Sequence, residues 1–431
     1  MRRSGFLVLR TAYSLLGYLL LPAVFLRLFL RGFKAPAYRR RWRERLGFAP
    51  LPTLSGAIWV HAVSVGEVEA AVPLVRSLRE RFPQRPLVVT TTTPTGSDRV
   101  RARLGGAVYH SYLPYDLPGP LGRFLGTVRP HLVIVMETEL WPNLFAACAR
   151  RGIPLVVANA RVSAGSFRGY RKLRALLQPT LRSASRILAQ TGPDAERLAA
   201  LGADRAALEV AGNLKYDLEL APDLAAKGRE LRGFVGAERP VWVAGSTHAG
   251  EENAVLGAHE SVRRRHPRAL LILVPRHPER FEEVADMCGR RGLATARRSR
   301  GARPGREDEV YLADTMGELM TLYAASDVAF VGGSLEPVGG HNLLEPAAVG
   351  LPILTGPHLA NFREIAERVQ SAGAARVVRS SAELGDAAAA LLADPESRTA
   401  MGGAGRQVVA ANQGARERVL AVAEALLDPR G

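Results

Sequence analysis

The feature that most constrains the fold is a series of short apolar segments that alternate with helix-period stretches. Six such segments, each rich in Val, Ile or Leu, occur in the first half of the chain: Ala57–Val63, Pro86–Thr92, Ala107–Tyr112, Leu132–Met136, Pro154–Ala158 and Arg186–Ala189. Continuous apolar strands separated by helices are typical of parallel sheets that helices cover on both faces. This half of the chain therefore predicts a doubly wound α/β domain.

The same pattern starts again in the second half. Its segments are Val241–Ala244, Ala269–Val274, Val310–Ala313, Val328–Val331, Pro352–Leu354 and Ala375–Val378. The natural boundary between the sets is the stretch Leu218–Pro240, which contains Pro222, Lys227, Arg229 and Pro240. We predict two Rossmann-like domains that face a cleft, residues 36–217 and 218–431, and in such sheets ligands bind beyond the carboxyl ends of the strands.

The segment in front of these domains is apolar and then basic. Residues 6–30 are strongly apolar apart from Arg10 and Arg27, and a basic cluster follows: Arg31, Lys34, Arg39, Arg40, Arg41, Arg43 and Arg45. An apolar helix with a basic flank is typical of a membrane anchor whose flank lies on anionic lipid in the cytoplasm. We predict an uncleaved anchor in residues 1–35, either spanning or lying in the interface, with Pro22 as a kink or break. A cleaved signal peptide and a buried soluble helix are the alternatives.

Charge and cysteine usage narrow the class of protein. A formal net charge of +17 favours anionic partners: nucleic acid, an acidic membrane surface or phosphorylated substrates. Nucleic acid is disfavoured because the sequence has no recognition motif and no basic surface interleaved with aromatic residues. Cys148 and Cys288 lie in different halves of the chain, so we expect reduced thiols and a cytoplasmic body. Neither CxxC nor HExxH occurs, so we expect no protein metal site.

Two strand-to-helix turns of the first domain carry acidic residues. After the first strand, Gly66 is expected to let the backbone turn tightly and to place Glu67 near a helix N-terminus. Glu67 is then either a base at the cleft or an ordinary residue that the helix dipole favours, and the dipole would lower its pKa unless burial offsets it. Glu137 and Glu139 follow the most apolar strand, where carboxylates suit acid–base chemistry or hydroxyl binding. The alternative for Glu139 is a simple cap of the following helix.

Two basic residues of the same half are weaker candidates. Arg161 follows another strand, and its planar guanidinium suits an anionic acceptor as well as it suits a plain surface position. Lys215 lies near the domain junction, where it can face the cleft.

The second half contains the most informative turns. Ser246 and Thr247 open a helix after the first strand of this half, a geometry that binds anions through backbone N–H groups. Arg276 follows the next strand between two prolines, which suits a phosphate ligand. The glycine-rich segment 332–347 leads into a helix on which Asn342 and Glu345 share one face. Glu345 is a good partner for the hydroxyls of a ribose.

In combination and order, nine segments resemble the Kdo (3-deoxy-D-manno-octulosonic acid) transferases of lipopolysaccharide assembly. They read HAVSVGEVEAA, TTTPTG, METELWPN, NARVS, GNLKYD, GSTHAGEE, VPRHPERF, DTMGEL and GGSLEPVGGHNLLEPA. The resemblance covers most of the chain. It implies a GT-B fold, CMP-Kdo as donor, a phosphorylated lipid A precursor (lipid IVA) as acceptor and the cytoplasmic face of the inner membrane as location. Whether one Kdo or more is added depends on the acceptor site.

The resemblance also implies roles for individual residues. Glu67 looks like the general base, and Glu137 and Lys215 like groups that stabilise the transition state. The CMP site would comprise Ser246, Thr247, Pro275, Arg276, Met316, Gly317, Glu318, Asn342, Leu343, Leu344 and Glu345. Leu343 stands where proline is often found in the family. From their positions in the turns of the first domain, and not from the resemblance, we assign Ser64, Gly66 and Arg161 to the acceptor side. No D-x-D motif is present, so we expect transfer without a metal or other cofactor.

Three other functions compete with this reading. Another enzyme on the same fold, such as a UDP-sugar epimerase or a lipid A disaccharide synthase, would use a UDP-linked sugar. A non-catalytic membrane adaptor would be expected to lose the acidic and glycine-rich turns, and here they are present. Nucleic-acid binding rests on charge alone.

Overall fold

A computed structural model describes residues 3–428 of the chain. In that range it has fourteen β-strands: β1 Ala57–His61, β2 Leu87–Thr91, β3 Tyr109–Tyr112, β4 Pro130–Met136, β5 Leu155–Ala160, β6 Arg186–Ala189, β7 Leu208–Val210, β8 Val241–Thr247, β9 Leu270–Pro275, β10 Thr295–Arg297, β11 Val310–Leu312, β12 Val328–Val331, β13 Ile353–Thr355 and β14 Ala375–Val377. The α-helices of the same range are α1 Arg3–Lys34, α2 Trp42–Arg45, α3 Val65–Arg81, α4 Pro94–Leu104, α5 Pro118–Val128, α6 Pro142–Arg150, α7 Ala164–Lys172, α8 Arg174–Arg182, α9 Gly192–Leu201, α10 Leu224–Val235, α11 Glu251–Arg265, α12 Phe281–Arg290, α13 Leu319–Ala324, α14 Leu344–Val349, α15 Arg363–Ser371, α16 Ser381–Ala393, α17 Pro395–Asn412 and α18 Ala415–Leu427.

The described part of the chain forms two compact units, and the first contains residues 3–217 and 412–428. Its sheet has the strand order β3-β2-β1-β4-β5-β6-β7, and every pair is parallel. Alternate strand residues bury one apolar layer on each face, because helices cover both faces of a parallel sheet. The strand order reverses between β1 and β4, which makes their carboxyl ends the expected ligand site of this sheet.

The second unit, residues 218–411, repeats this construction. Its parallel sheet has the order β10-β11-β9-β8-β12-β13-β14. The fully buried Trp242 packs in the layer on one face, and Tyr311 and Tyr323 pack in the layer on the other. The order reverses between β8 and β12. The predicted α/β class with two doubly wound sheets is confirmed.

The twelve predicted strands are all present, with ends displaced by a few residues at most, but the prediction missed β7 and β10. Both are three-residue edge strands. An edge strand pairs with one neighbour only, so short and partly polar sequences such as Leu-Glu-Val and Thr-Ala-Arg can form it. Such sequences lack the apolar run from which the other strands were predicted.

The C-terminal helix corrects the predicted domain boundary. The sequence placed residues 412–431 in the second domain, whereas α18 packs its buried face, including Val419 and Leu420, into the core of the first unit. Asp217 holds the start of this helix, since its carboxylate accepts hydrogen bonds from the backbone N–H of Gly414 and Arg416, both at 2.6 Å. The returning helix therefore completes the first unit.

The N-terminal helix α1 is continuous through Pro22, so the predicted break is wrong. One side of α1 docks on the first unit. Asn143 donates a side-chain hydrogen bond to the Ser14 hydroxyl at 3.0 Å, and the Tyr18 hydroxyl accepts one from the Gly119 N–H at 3.0 Å. The other side exposes a row of large apolar side chains, among them Val8, Leu15, Leu19 and Phe33. By length and composition alone, residues 5–34 form a helix that can cross a membrane.

Candidate active site

Two acidic turns meet at the switch point of the first sheet. β1 leads through Ser64 into α3, which carries Glu67 in its first turn, and the neighbouring β4 leads into Glu137. Glu137 has a positive φ of 53°, a conformation that non-glycine residues adopt at some energetic cost and that is frequent at functional sites. The two turns are close enough for the charges of Glu67 and Glu137 to interact. The structure therefore brings these two predicted catalytic residues together.

The Glu67 carboxylate is fixed by short-range hydrogen bonds. It accepts from the backbone N–H of Val63 at 2.9 Å and from the Ser64 hydroxyl at 3.1 Å. Ser64 is the N-cap of α3, and its hydroxyl accepts from the Glu67 N–H at 3.4 Å. This reciprocal pairing resembles a capping box, so Glu67 does serve the helix start. The pairing also locks the rotamer of the carboxylate.

The pKa of Glu67 is raised to about 7. Burial is the largest cause, because it penalises the charged carboxylate, and the nearby charges of Glu137 and Glu139 raise the pKa further. The hydrogen bonds from Val63 and Ser64 act in the opposite direction. Burial thus outweighs the stabilisation that was expected from the helix start. A carboxyl group with a pKa near neutrality is suited to exchange protons at physiological pH.

The predicted acceptor residues Gly66 and Arg161 occupy open positions. Gly66 lies inside the first turn of α3 without a positive φ, so the predicted need for a tight turn is wrong. A Cβ at Gly66 would meet no atom of the described residues within 4 Å, which leaves room beside Glu67. Arg161 is exposed, and its backbone carbonyl accepts a hydrogen bond from the Thr138 hydroxyl in the turn that follows β4.

A network of buried amides holds the turn that carries Lys215. Asn213 caps this 3-10 turn by accepting from the Lys215 N–H at 3.0 Å, and its amide donates to Gln190 at 3.1 Å. Gln190 donates to the carbonyl of Asn159 at 3.0 Å, and the Asn159 side chain accepts from the Leu214 N–H at 3.0 Å. The turn packs beside α3, which carries Glu67. Sequence reasoning missed this network, although an Asn at the end of an apolar strand was a visible signal.

The second sheet has a comparable pair of turns at its own switch point. Ser246, at the end of β8, has a positive φ of 57°. The Thr247 hydroxyl is buried and has no hydrogen-bond partner among the described residues. Unsatisfied buried polar groups are rare in proteins, so this hydroxyl has a hydrogen bond left for a ligand.

Glu251 joins the two turns of this switch point. Its carboxylate is fully buried and accepts from the backbone N–H groups of His248 at 3.1 Å, Gly333 at 2.6 Å, Ser334 at 2.8 Å and Leu335 at 2.8 Å. One side chain thereby fixes the turn after β8 and the glycine-rich turn after β12. The sequence analysis did not single out Glu251, because an acidic residue in the first turn of a helix is common.

Arg276 supplies an unpaired positive charge to this region. It follows Pro275 at the end of β9, and its backbone N–H donates to the carbonyl of Thr247 at 2.9 Å. Its guanidinium makes no hydrogen bond or ion pair with any residue in the range 3–428. Burial, and then neighbouring positive groups that include Arg276, lower the pKa of His341 to about 4. His341 lies beside His248, with 2.8 Å between their Nε2 atoms. Neutral imidazoles near a free guanidinium leave the region suited to an anion.

The remaining predicted donor residues are arranged in two turns. Glu318, in the turn of Met316 and Gly317, is ion-paired with Arg298 at 2.7 Å. Asn342 donates to Glu345 at 3.3 Å, so the two side chains are in contact. Asn342 precedes α14, however, so the prediction that it lies on the helix is wrong. The side chains of Leu343 and Leu344 are fully buried in the core, so these two residues can offer a ligand their backbone only.

The sequence is similar to known proteins over nearly its whole length. The family model described as 3-Deoxy-D-manno-octulosonic-acid transferase (kdotransferase) matches residues 40–218, and that of Glycosyl transferases group 1 matches residues 302–408. A 3-deoxy-D-manno-octulosonic acid transferase of Haemophilus influenzae is 45% identical over 415 residues, which are 95% of this chain and 97% of that protein. The chain belongs to the Kdo transferase family. It is a glycosyltransferase, as the sequence predicted.

Two further comparisons agree with this assignment. The Kdo transferase of Bordetella pertussis is 42% identical over 381 residues, covering 86% of this chain and 87% of that protein. Among solved structures, UDP-GlcNAc 2-epimerase from Neisseria meningitidis aligns with a TM-score of 0.56 over 85% of this chain and 99% of its own, at 14% identity. The second likeness concerns the fold alone and confirms a GT-B type of architecture for this Kdo transferase.

Proposed function

We propose that this Kdo transferase moves Kdo from CMP-Kdo to a phosphorylated lipid A precursor (lipid IVA), with inversion at the anomeric carbon. The observation that carries the proposal is Glu67, a buried carboxyl group with a raised pKa beside Glu137 at the switch point of the first sheet. A family whose members transfer Kdo needs a base for an acceptor hydroxyl, and Glu67 has the position and the pKa for that task.

In the proposed reaction Glu67 takes the proton from a hydroxyl group of the acceptor. The hydroxyl oxygen forms a bond to the anomeric carbon of Kdo while the bond from that carbon to the phosphate oxygen of CMP breaks, and CMP leaves with the bonding electrons. Attack on the face opposite to CMP inverts the configuration. Lys215, in its fixed turn, and Glu137 are the groups assigned to charge stabilisation in the transition state.

The donor half of the proposal places CMP at the switch point of the second sheet. Arg276, which has no carboxylate partner among residues 3–428, neutralises the phosphate that departs. The unpartnered Thr247 hydroxyl and the backbone around Ser246 contribute hydrogen bonds, and Glu345 binds the ribose hydroxyls. Met316, Gly317, Glu318, Pro275 and the segment 342–344 are assigned to the remaining CMP contacts. Transfer without a metal stays a prediction from the missing D-x-D motif.

The rate of transfer is expected to depend on the ionisation of Glu67. A base must be deprotonated, and because the pKa of Glu67 is raised to about 7, the active fraction grows as the pH rises through 7. Below about pH 6, kcat/KM should fall roughly tenfold per pH unit, and above about pH 8 it should level off. Initial rates at acceptor concentrations well below KM, recorded between pH 5 and 9, measure this limb. A flat profile between pH 5 and 8 would remove Glu67 from the role of base.

The anchor is proposed to lie in the membrane interface rather than to cross the bilayer. One side of α1 holds the first unit through the bonds of Ser14 and Tyr18, and the opposite side exposes its apolar residues. A crossing helix would have to leave the domain and break these contacts. Lying flat, α1 buries its apolar side among acyl chains and brings the site to a lipid acceptor. The proposed location is the cytoplasmic face of the inner membrane.

Depth measurements distinguish the two arrangements of α1. Single nitroxide labels at Val8, Leu19 and Phe33, which are all exposed on α1, should report similar and shallow depths in vesicles, about 5–10 Å below the headgroups. A label at Glu80, exposed on α3, is the control and should remain in water. A spanning helix would instead place Leu19 near the bilayer centre, about 15 Å deep.

The choice of nucleotide tests the proposal against a UDP-linked enzyme. Calorimetric titration with CMP and with UDP should give binding for CMP and at least tenfold weaker binding for UDP. An Arg276→Ala variant should weaken the binding of CMP. Equal or tighter binding of UDP would favour another sugar donor and overturn the assignment of CMP-Kdo.

A further inference from the structure

A cavity of about 790 Å³ lies in the first unit, and neither Glu67 nor Glu137 lines it. It is bounded by the segment that follows α1 and by α5. Its lining includes Arg39 and Arg43 from the segment and Arg123 from α5. We call it the arginine cavity, and nothing in the proposed sugar transfer uses it.

The arginine cavity holds an excess of positive charge. Among its described lining residues Glu44 is the one carboxylate, and Arg41 engages it with bonds of 2.6 and 2.7 Å. Arg39, Arg43 and Arg123 have no carboxylate partner among residues 3–428. Three guanidinium groups that line one space repel each other, and an anion in that space would relieve the repulsion.

The positions of these arginines are fixed without an anion. Arg123 donates two bonds to the carbonyl of Leu46, at 3.0 and 2.6 Å. The guanidinium carbon of Arg123 lies 4.5 Å from the ring centroid of Phe48, and that of Arg43 lies 5.6 Å from the same centroid. Gly47 makes this approach possible, since it has a φ of +85° and a Cβ there would lie 2.1 Å from the carbonyl oxygen of Pro120. Groups held in place lose little freedom on binding.

The mouth of the arginine cavity borders the exposed apolar side of α1. The guanidinium carbon of Arg39 lies 4.5 Å from the ring centroid of Phe29 and 3.9 Å from that of Phe33, both on α1. Phe33 is 68% exposed and Phe48 is 48% exposed. Aromatic side chains beside arginine groups are typical of the boundary between acyl chains and headgroups.

We propose that the arginine cavity binds the phosphate headgroup of an anionic bilayer phospholipid. Guanidinium groups bind phosphate oxygens through paired N–H donors, and the neighbouring Phe33 and Phe48 would contact the first carbons of the acyl chains. The proposal rests on the interfacial position of α1, and it adds a defined lipid site to that position. It does not depend on the nature of the sugar transferred.

Vesicle sedimentation of the full-length protein tests the site. The probes are vesicles of phosphatidylcholine alone and vesicles that also contain phosphatidylglycerol. The variants are Arg43→Gln with Arg123→Gln, and a control pair in the second unit, Arg229→Gln with Arg290→Gln, which removes the same charge from exposed positions. The partition of the first pair to the anionic vesicles should fall about 25-fold, since each basic residue at the surface contributes about fivefold. The control pair should lose twofold or less.

A third variant distinguishes a defined phosphate site from a diffuse electrostatic attraction to the vesicle surface. The Arg43→Lys, Arg123→Lys variant keeps the net charge but lacks the paired, coplanar N–H donors of the guanidinium groups. Its partition to the anionic vesicles should fall between those of the wild type and the glutamine pair. Partition that equals the wild type would overturn the site and leave a diffuse attraction. Equal loss in the control pair would do the same.

Two further outcomes identify which part of the proposal is wrong. A wild-type protein that binds neither kind of vesicle would overturn the interfacial position of α1 together with the site. The acceptor KM, measured in neutral detergent without phospholipid, should be the same for the wild type and the glutamine pair. A raised KM with unchanged partition to vesicles would show that the cavity holds the acceptor, and it would overturn the phospholipid assignment.

Discussion

Replacing Glu67 by Gln is expected to lower kcat for Kdo transfer by about 10²- to 10⁴-fold, the range that a general base contributes. The amide has the shape of the carboxyl group and can still accept from the N–H of Val63, so α3 should begin at the same residue. What it lacks is the capacity to take a proton. Initial rates from release of CMP, with circular dichroism as a check on folding, measure the effect.

The control for this change is Glu80→Gln, at the exposed end of the same helix. It removes the same charge from α3 and should leave the rate within about twofold of the wild type, because surface changes have small effects. The acid limb near pH 7 should disappear in the Glu67 variant and persist in the control. A Glu67→Gln enzyme that keeps more than a third of the wild-type rate would assign the base to another group.

Loss of the Arg276 side chain is expected to have the second largest effect. The Arg276 guanidinium has no carboxylate partner among the described residues. The Arg276→Ala change therefore leaves no carboxylate of that range without its partner. A hydrogen bond to a charged group contributes about 1.5–3 kcal/mol, which corresponds to a loss of roughly 10- to 150-fold in kcat/KM for the donor. Steady-state kinetics with varied CMP-Kdo give this ratio.

Two companion variants sharpen the interpretation. Arg276→Lys keeps the positive charge but lacks the paired N–H donors of the guanidinium, so it should recover part of the kcat/KM that Arg276→Ala loses. Arg290→Ala, at the exposed end of α12, is the matched control and should behave as the wild type. If Arg276→Ala binds CMP as tightly as the wild type, the leaving phosphate is held elsewhere in the protein.

Most of the fold followed from the sequence because buried parallel strands are continuous apolar runs. Segments such as Leu132–Met136 have no other stable environment in a soluble domain, and the structure places them at the centre of the sheets. The return of α18 to the first unit was not visible, since an amphipathic helix shows that it packs but not against which sheet. The edge strands β7 and β10 were too short to carry a pattern.

The site was predictable to a similar degree. Acidic and glycine-rich turns after strands led to Glu67, Glu137 and the segment 332–347, which the structure places at the two switch points. The sequence did not reveal whether burial or the helix dipole would control the pKa of Glu67, because that balance depends on neighbours such as Glu139. Glu251 and Asn159 act by holding other turns in place, and roles of that kind depend on contacts between distant segments.

The central claim is that the chain transfers Kdo from CMP-Kdo to a phosphorylated lipid A precursor. Its most direct test is to incubate the purified full-length protein with both substrates and to record the mass of the lipid product and the CMP released. The account predicts a lipid heavier by one or more Kdo residues, with one CMP released for each Kdo added. A folded protein that binds CMP but leaves the mass of the lipid unchanged would contradict the proposed acceptor, and one that also fails to bind CMP would contradict the donor as well.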